Sequence, residues 1–191
     1  MKTFIKILCV TAIIVLLCSC ASDKGTSEGV TQTSDEPQPE EWPYKKNGIR
    51  LIFIADSKLN FSDGIAHTLH ICVYQLRDPN AFNQMTSDRD GLLQLLECFL
   101  FDPGVTSFKE LTVQPEQTLS VALDRAEGSK YVGIATGYDK IEKERIIIFR
   151  QIPVKVKRKG LMWWKKIAEP DDLQLKIKLG SQQIVADEVI Q

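Results

Sequence analysis

Apolar residues follow three different patterns along the chain. A continuous apolar run covers residues 7–17, a polar stretch follows as far as residue 48, and from residue 49 onward short apolar segments alternate with turns. This succession is typical of an export signal, a linker and a folded domain. We therefore predict a signal peptide over residues 1–19, a lipidated cysteine with a flexible tether over 20–48, and one folded domain over 49–191.

Short strand-like segments dominate the folded region. Residues 49–55 and 68–76 are rich in branched and aromatic side chains, so each predicts a strand with at least one buried face. Turn residues separate further strands predicted near 109–113, 118–124, 130–138, 145–157, 173–179 and 183–186. Many short strands with regular turns predict an all-β fold, an antiparallel β-sandwich.

The apolar spacing becomes helical between the second and third predicted strands. Asp88 and Asp90 offer N-cap oxygens, and Pro103-Gly104 ends the pattern. The sequence predicts a helical insertion at about 78–104 with one good helix, whose apolar positions are Leu92, Leu93, Leu95, Leu96, Phe99 and Leu100.

A long loop, residues 56–67, joins the first two predicted strands. Leu59 and Phe61 stand there among polar residues, which is unusual unless they cover the edge of the core or contact another protein. Both alternatives stay open from the residues alone, since Leu59 can simply close the end of the sandwich.

The first 20 residues have the order of an export signal. Lys2 and Lys6 precede the apolar run 7–17, which is too short to span a bilayer because a spanning helix needs about 20 apolar residues. Leu17-Cys18-Ser19-Cys20 resembles the lipobox of bacterial lipoproteins, which implies cleavage before Cys20 and attachment of diacylglycerol and an N-acyl chain, such as palmitate, to it. An ordinary secretory signal with incidental cysteines is the alternative.

Residues 21–48 contain almost nothing to bury. They are polar and acidic and are interrupted by Pro37, Pro39 and Pro43, so they predict a tether with a coil reach of about 30 Å. Ala21 follows the lipidated cysteine, where an Asp would resemble an inner-membrane retention signal. We therefore expect an outer-membrane anchor with the domain facing the periplasm.

Overall charge excludes a strong bias toward nucleic acid, because 24 Lys and Arg residues oppose 25 Asp and Glu residues. In an exported protein Cys72 and Cys98 meet an oxidising compartment and can pair, closing a loop that stabilises the fold by about 3.5 kcal/mol. Two separate buried thiols are the alternative.

The candidates for chemistry are few. Ser62, Asp63 and His67 crowd one loop without a nucleophile elbow, and His67 and His70 fall on opposite faces if they share a strand. Asp88, Asp90 and Glu97 match a calcium loop only in part, and helix capping explains the two aspartates more simply. We expect no enzyme activity, no metal, no small-molecule substrate and no cofactor beyond the lipid on Cys20.

A basic stretch surrounds Trp163 and Trp164 near the C-terminal end. It can contact anionic lipid or an acidic partner. Alternatively, its lysines form the solvated face of a strand and guard an edge against pairing. The basic residues are Lys155, Lys157, Arg158, Lys159, Lys165 and Lys166.

Several segments in order resemble a known family, the type VI secretion system outer-membrane lipoproteins (TssJ-like). They are residues 49–55, Leu59-Asn60, residues 69–78, Phe82, Leu111-Thr112-Val113 with Pro115, residues 130–138 and Phe149-Arg150. The resemblance covers residues 49–150 and the lipobox. The chain departs from the family pattern at Phe61, Glu116 and Phe149, where proline, glycine and tryptophan are usual.

The resemblance implies a transthyretin-like sandwich that acts without catalysis. It implies binding to the periplasmic domain of a TssM-like inner-membrane protein, which itself joins TssL, so that a trans-envelope complex is fixed to the outer membrane. In the family the loop between the first two strands is implicated in that contact, which here assigns Lys58, Leu59, Asn60, Phe61 and Asp63 to it. A periplasmic solute-binding or inhibitory lipoprotein is the alternative function, and a lipid-anchored hydrolase is a third.

Overall fold

Two four-stranded sheets and a separate two-stranded ribbon make up the computed structural model, which describes residues 37–159 and 165–190. The strands are β1 (Lys45–Ala55), β2 (Leu69–Leu76), β3 (Val105–Val113), β4 (Thr118–Arg125), β5 (Tyr131–Thr136), β6 (Ile147–Gln151), β7 (Val154–Lys159), β8 (Lys165–Pro170), β9 (Leu173–Leu179) and β10 (Ile184–Val189). Three short helices accompany them: α1 (Asn80–Met85), α2 (Arg89–Leu95) and α3 (Lys143–Ile146).

The first sheet has the strand order β10-β9-β1-β4, and the second has the order β3-β2-β5-β6. β1 and β9 pair in parallel, from Ile49 opposite Leu173 to Ala55 opposite Leu179. The other strand pairs among the described residues are antiparallel. The predicted all-β fold is therefore confirmed, with one parallel pair that the antiparallel prediction did not include.

The core lies between the two four-stranded sheets. Alternate residues of each strand point inward, as a pleated strand requires, so Leu51 and Phe53 of β1 are buried in one cluster with Ile71 and Val73 of β2. β9 adds Leu173, Leu175, Ile177 and Leu179 to the same cluster. Burial of apolar side chains from both sheets makes the arrangement a sandwich.

A second, smaller core covers the outer face of β2. Tyr74 and Leu76 pack there against Phe82 of α1 and Leu95 of α2. The hydroxyl of Tyr74 donates a hydrogen bond to the Leu95 carbonyl oxygen at 2.6 Å, and burial raises the pKa of Tyr74 to about 12. Because the helical insertion covers this face, β2 is buried on both sides along most of its length.

The insertion contains two short helices where the sequence predicted one good helix. The chain breaks after Met85, and Asp88 restarts it by accepting a hydrogen bond from the Gly91 N–H at 2.8 Å. Phe99 and Leu100 lie beyond α2, because Leu96 is its C-cap and Cys98 adopts a left-handed backbone conformation with φ of 49°. The capping role predicted for Asp88 is confirmed.

Other boundaries also differ from the prediction. The segment predicted as one strand over 145–157 divides into α3, β6 and β7, with Pro153 in the break, where it lacks an N–H for a sheet. β8 was not predicted. The domain also begins before residue 49: Trp42 is buried in the core, and β1 starts at Lys45, so the predicted tether over 20–48 is too long at its C-terminal end.

Some predicted features lie outside the described residues, namely the signal peptide, Cys20 and the Trp163-Trp164 pair. Among the residues that the structure does describe, no helix is both long and apolar enough to cross a membrane.

Candidate functional site

The loop over residues 56–67 and the N-terminal segment over residues 37–44 lie at opposite ends of β1. The N-terminal segment enters β1 at Lys45, and the loop leaves it after Ala55. A strand rises about 3.3 Å per residue, so these ends are about 33 Å apart. We call them the tether pole and the loop pole.

Backbone hydrogen bonds from the first half of the loop fix it to the end of β9 and the residues that follow. The N–H of Asp56 donates to the Leu179 carbonyl oxygen at 2.9 Å, and the N–H of Phe61 donates to the Ser181 carbonyl oxygen at 2.7 Å. The loop is therefore tied to the end of β9, so its tip is held in one place relative to the sandwich.

Leu59 is a core residue. Its side chain has no exposed surface and belongs to the main hydrophobic cluster, where it closes one end of the sandwich. Its carbonyl oxygen accepts a hydrogen bond from the His67 N–H at 3.0 Å, which closes the loop around it. The prediction that Leu59 contacts a partner does not fit this burial, and the alternative that it covers the core does.

Asn60 also holds the loop together. It adopts a left-handed conformation with φ of 46°, which Asn tolerates better than most residues. Its side-chain amide donates to the Thr68 carbonyl oxygen at 3.3 Å, and its oxygen accepts from the Asp139 N–H at 3.1 Å. These bonds join the middle of the loop to the residue before β2 and to the segment after β5.

The tip of the loop is a tight turn. Ser62 and Ile65 exchange two backbone hydrogen bonds, of 3.1 and 3.0 Å, around Asp63 and Gly64, whose φ angles are 50° and 83°. Positive φ at both central residues is the geometry that Asp-Gly favours in two-residue hairpins. Asp63 is exposed there, as expected of a contact residue.

Ile65 is the apolar residue at the tip that the sequence prediction did not select. Its side chain is 59% exposed, although a branched apolar residue is usually buried. The sequence signal for this exposure was its position directly after Asp63-Gly64, because residues that flank a two-residue hairpin turn lie at the surface.

Lys58 and Phe61 form the side of the loop. Lys58 is exposed, and its ammonium nitrogen lies 5.8 Å from the centroid of the half-buried Phe61 ring, within cation–π distance. Lys58, Phe61, Asp63 and Ile65 thus present one mixed apolar and charged surface, which we call the loop surface.

Tyr138 lies buried among the core side chains and adjoins Asp139, which donates to Asn60. Burial raises the pKa of Tyr138 well above its usual value, so its hydroxyl stays protonated and neutral at ordinary pH. It supports the fold at the loop pole and offers no acid or base to a ligand.

The possible catalytic residues in the loop are not arranged as a triad. The Nε2 atom of His67 lies 3.3 Å from the backbone oxygen of Ser62, whereas a nucleophilic serine must present its hydroxyl to the imidazole. His70 lies on β2, where its Nε2 is 2.9 Å from the Leu96 carbonyl oxygen. His67 and His70 therefore bond to different parts of the fold.

A disulfide joins Cys72 of β2 to Cys98 after α2, with their Cα atoms 5.3 Å apart. His70, Cys72 and Cys98 have potential ligand atoms within 4.8 Å of one another. A metal needs thiolates, however, and cysteines in a disulfide do not supply them. In this form the cluster fastens the helical insertion to the second sheet.

Comparisons with known proteins agree with this architecture. Residues 47–182 match the family model for type VI secretion lipoproteins, described by the names VasD, EvfM and TssJ. Comparison with curated protein sequences finds no significant match.

Three solved structures of similar fold are informative. The T6SS lipoprotein TssJ1 from Pseudomonas aeruginosa has a TM-score of 0.55 at 18% identity, covering 78% of this chain and 98% of its own. Lip from Serratia marcescens, a membrane bound component of the type VI secretion system, has a TM-score of 0.54 at 18% identity, covering 75% and 96%. The structure of the T6SS protein TssM C-terminal domain from EAEC has a TM-score of 0.51 at 17% identity, covering 75% and 97%.

Proposed function

The chain belongs to the type VI secretion lipoprotein family that includes TssJ, and we propose that it is a non-catalytic adaptor of the trans-envelope membrane complex. Lipid on Cys20 holds it in the outer membrane. The loop surface binds the periplasmic domain of a TssM-like inner-membrane protein, which in turn joins TssL.

One observation carries this proposal: the loop surface lies at the opposite pole from the segment that leads to Cys20. An adaptor between two membranes needs its anchor and its partner surface to face in opposite directions. β1 supplies this separation, because one continuous strand connects the two poles.

The chemistry of the loop surface supports a protein partner. Ile65 is largely exposed on a rigid turn, and Lys58 and Phe61 stand beside it. A fixed apolar residue with a polar rim is typical of the centre of a protein interface. Structures of the TssM C-terminal domain and of a type VI membrane complex are among those of similar fold, which supports the choice of partner.

The proposal is tested by co-purification of the partner from solubilised membranes with the variant Lys58→Ala/Ile65→Ala. Both side chains are exposed, so the fold is expected to persist while affinity falls by about tenfold or more. Val185→Ala is the matched control, because Val185 is 61% exposed on β10 and Ile65 is 59% exposed. Wild-type affinity of a folded double variant contradicts the loop assignment.

A second variant, Cys20→Ala, tests the anchor separately. We expect the Cys20→Ala protein to be absent from the outer-membrane fraction, while its folded domain still binds the partner. Outer-membrane attachment without Cys20 contradicts the lipid anchor, and it does so whatever the result for the loop.

A further inference from the structure

The β7–β8 ribbon pairs with neither four-stranded sheet, and its charges are unevenly distributed. At its base the Lys155 ammonium contacts the Asp171 carboxylate at 2.8 Å, and the Lys157 ammonium contacts the Glu169 carboxylate at 2.5 Å. These ion pairs balance the charge of the base.

Toward the other end of the ribbon, the last described residues of both strands are Lys or Arg. The strand register places Arg158 opposite Lys166 and Lys159 opposite Lys165. We call Arg158 and Lys166, whose side chains the structure describes, the cationic tip. Arg158 and Lys166 are exposed, and within residues 37–159 and 165–190 no acidic group forms an ion pair with either of them.

Such pairing is unfavourable for the ribbon by itself. Like charges directly opposite one another destabilise a strand pair, and a two-stranded ribbon is only marginally stable in water. Lysines on one edge strand are explained by the need to prevent edge-to-edge aggregation. That need does not explain cations placed opposite one another on two paired strands. An external anion at the tip would remove the repulsion.

The position of the ribbon indicates which anion is available. A cleft of about 660 Å³ lies between residues 37–45 and β8, and its lining includes Pro37, Glu40, Glu41 and Lys166. The N-terminal segment therefore runs beside the ribbon. Cys20 is 17 residues before Pro37, so it lies within about 60 Å of this cleft even if the intervening chain is fully extended.

We propose that the cationic tip binds the anionic phospholipid headgroups of the membrane that holds the anchor. A lysine or arginine near an anionic membrane strengthens association about fivefold, so Arg158 and Lys166 together contribute about 30-fold. This second contact orients the tether pole toward the membrane and the loop pole away from it. The partner is a lipid surface, which a lipid-anchored domain meets at high local concentration.

The test uses the processed, lipidated protein in nanodiscs of phosphatidylcholine, either alone or with about 30% phosphatidylglycerol. Amide hydrogen exchange of residues 154–159 and 165–170 is the measurement. We expect slower exchange of these amides on the anionic nanodiscs, and we expect the difference to disappear in about 0.5 M salt.

Variants identify the residues responsible. Arg158→Gln/Lys166→Gln is expected to lower the lipid-dependent protection by up to about 30-fold. Lys176→Gln/Lys178→Gln on β9 removes the same charge from a different strand and is expected to leave the protection unchanged.

Equal exchange on neutral and anionic nanodiscs overturns the proposal. Protection that appears only when the inner-membrane partner is added also overturns it, and it assigns the tip to an acidic protein surface instead. The comparison of neutral with anionic nanodiscs does not depend on the loop surface, because it contains no partner protein.

Discussion

The ring of Phe82 packs so closely against Gly133 that a β-carbon at position 133 would lie 2.5 Å from two ring carbons. Phe82 belongs to α1 and is 1% exposed, and it also stacks on Phe149 of β6. This contact seats the helical insertion on the second sheet. It gives a physical reason for a glycine in the middle of a core strand.

Gly133→Ala is therefore expected to destabilise the protein by about 1–3 kcal/mol, because the added methyl group overpacks a buried contact. Urea unfolding measures the change. Gly137→Ala is the matched control, since the nearest atoms to its new β-carbon lie at an ordinary distance of 3.5 Å. Equal losses in the two variants would show that the Phe82 contact is not the cause.

Leu59→Ala is expected to lower the free energy of unfolding by about 2–5 kcal/mol, since it leaves a cavity at the end of the core. Ile65→Ala, in the same loop, is expected to change it by less than about 0.5 kcal/mol because Ile65 is largely exposed. Thermal and urea unfolding of both variants make the comparison. A stable Leu59→Ala protein would place Leu59 outside the core.

The loop illustrates how far sequence patterns reach. Leu59 and Phe61 looked alike as apolar residues in a polar loop, but Leu59 is buried and Phe61 is half-buried at the surface. The difference arises from backbone hydrogen bonds, in which the Leu59 carbonyl oxygen accepts from the His67 N–H and the Phe61 N–H donates to the Ser181 carbonyl oxygen. Neither partner can be identified from the residues around Leu59 and Phe61. Local patterns do not contain such pairings.

The strands were easier to predict than their partners. β1 and β2 follow from their branched and aromatic residues, whereas the parallel pairing of β1 with β9 joins residues more than 100 positions apart. Arg125 shows the same limit for single side chains. An arginine is rarely buried, and only the fold reveals that Arg125 is 2% exposed.

The disulfide gives a prediction that depends on redox conditions. Cys72→Ala/Cys98→Ala is expected to lose about 2–5 kcal/mol of stability, because the cross-link no longer restricts the unfolded chain. A thiol reductant should lower the melting temperature of the wild type and leave the double variant unchanged. A wild-type protein that is insensitive to complete reduction, as checked by thiol counting, would contradict this role.

A hydrogen bond at the tether pole gives a pH prediction. The Tyr44 hydroxyl and the Asn47 N–H both donate to the Asp124 carboxylate, and the Tyr44 bond is the main reason that the pKa of Asp124 lies below its usual 3.8. A lowered carboxyl pKa stabilises the folded form above the unfolded pKa, and this stabilisation is lost as the pH falls through the folded value.

We therefore expect residues 44–47 to loosen as the pH falls below about 4, which hydrogen exchange detects. Tyr44→Phe removes the main donor, so an NMR titration should show the pKa of Asp124 moving up toward 3.8. An unchanged Asp124 pKa in Tyr44→Phe would assign the shift to Asn47 instead.

Arg125 joins the N-terminal segment to the base of the ribbon. Its guanidinium donates to the Pro43 carbonyl oxygen at 3.0 Å and to the Asp171 carbonyl oxygen at 3.2 Å, and burial lowers its pKa. Arg125→Met keeps an apolar stem but leaves both carbonyl groups without this donor, so a loss of about 2–4 kcal/mol is expected.

The effect of Arg125→Met should be confined to one pole. In this variant, amide hydrogen exchange is expected to accelerate over residues 37–45 and to stay unchanged over residues 56–67. Because the loop is unchanged, we expect the variant to bind the partner as the wild type does. Arg125→Lys, with one nitrogen for two acceptors, should fall between Arg125→Met and the wild type in stability. Loss of partner binding by a folded Arg125→Met protein would show that the two poles are energetically coupled, because Arg125 contacts the tether pole and not the loop surface.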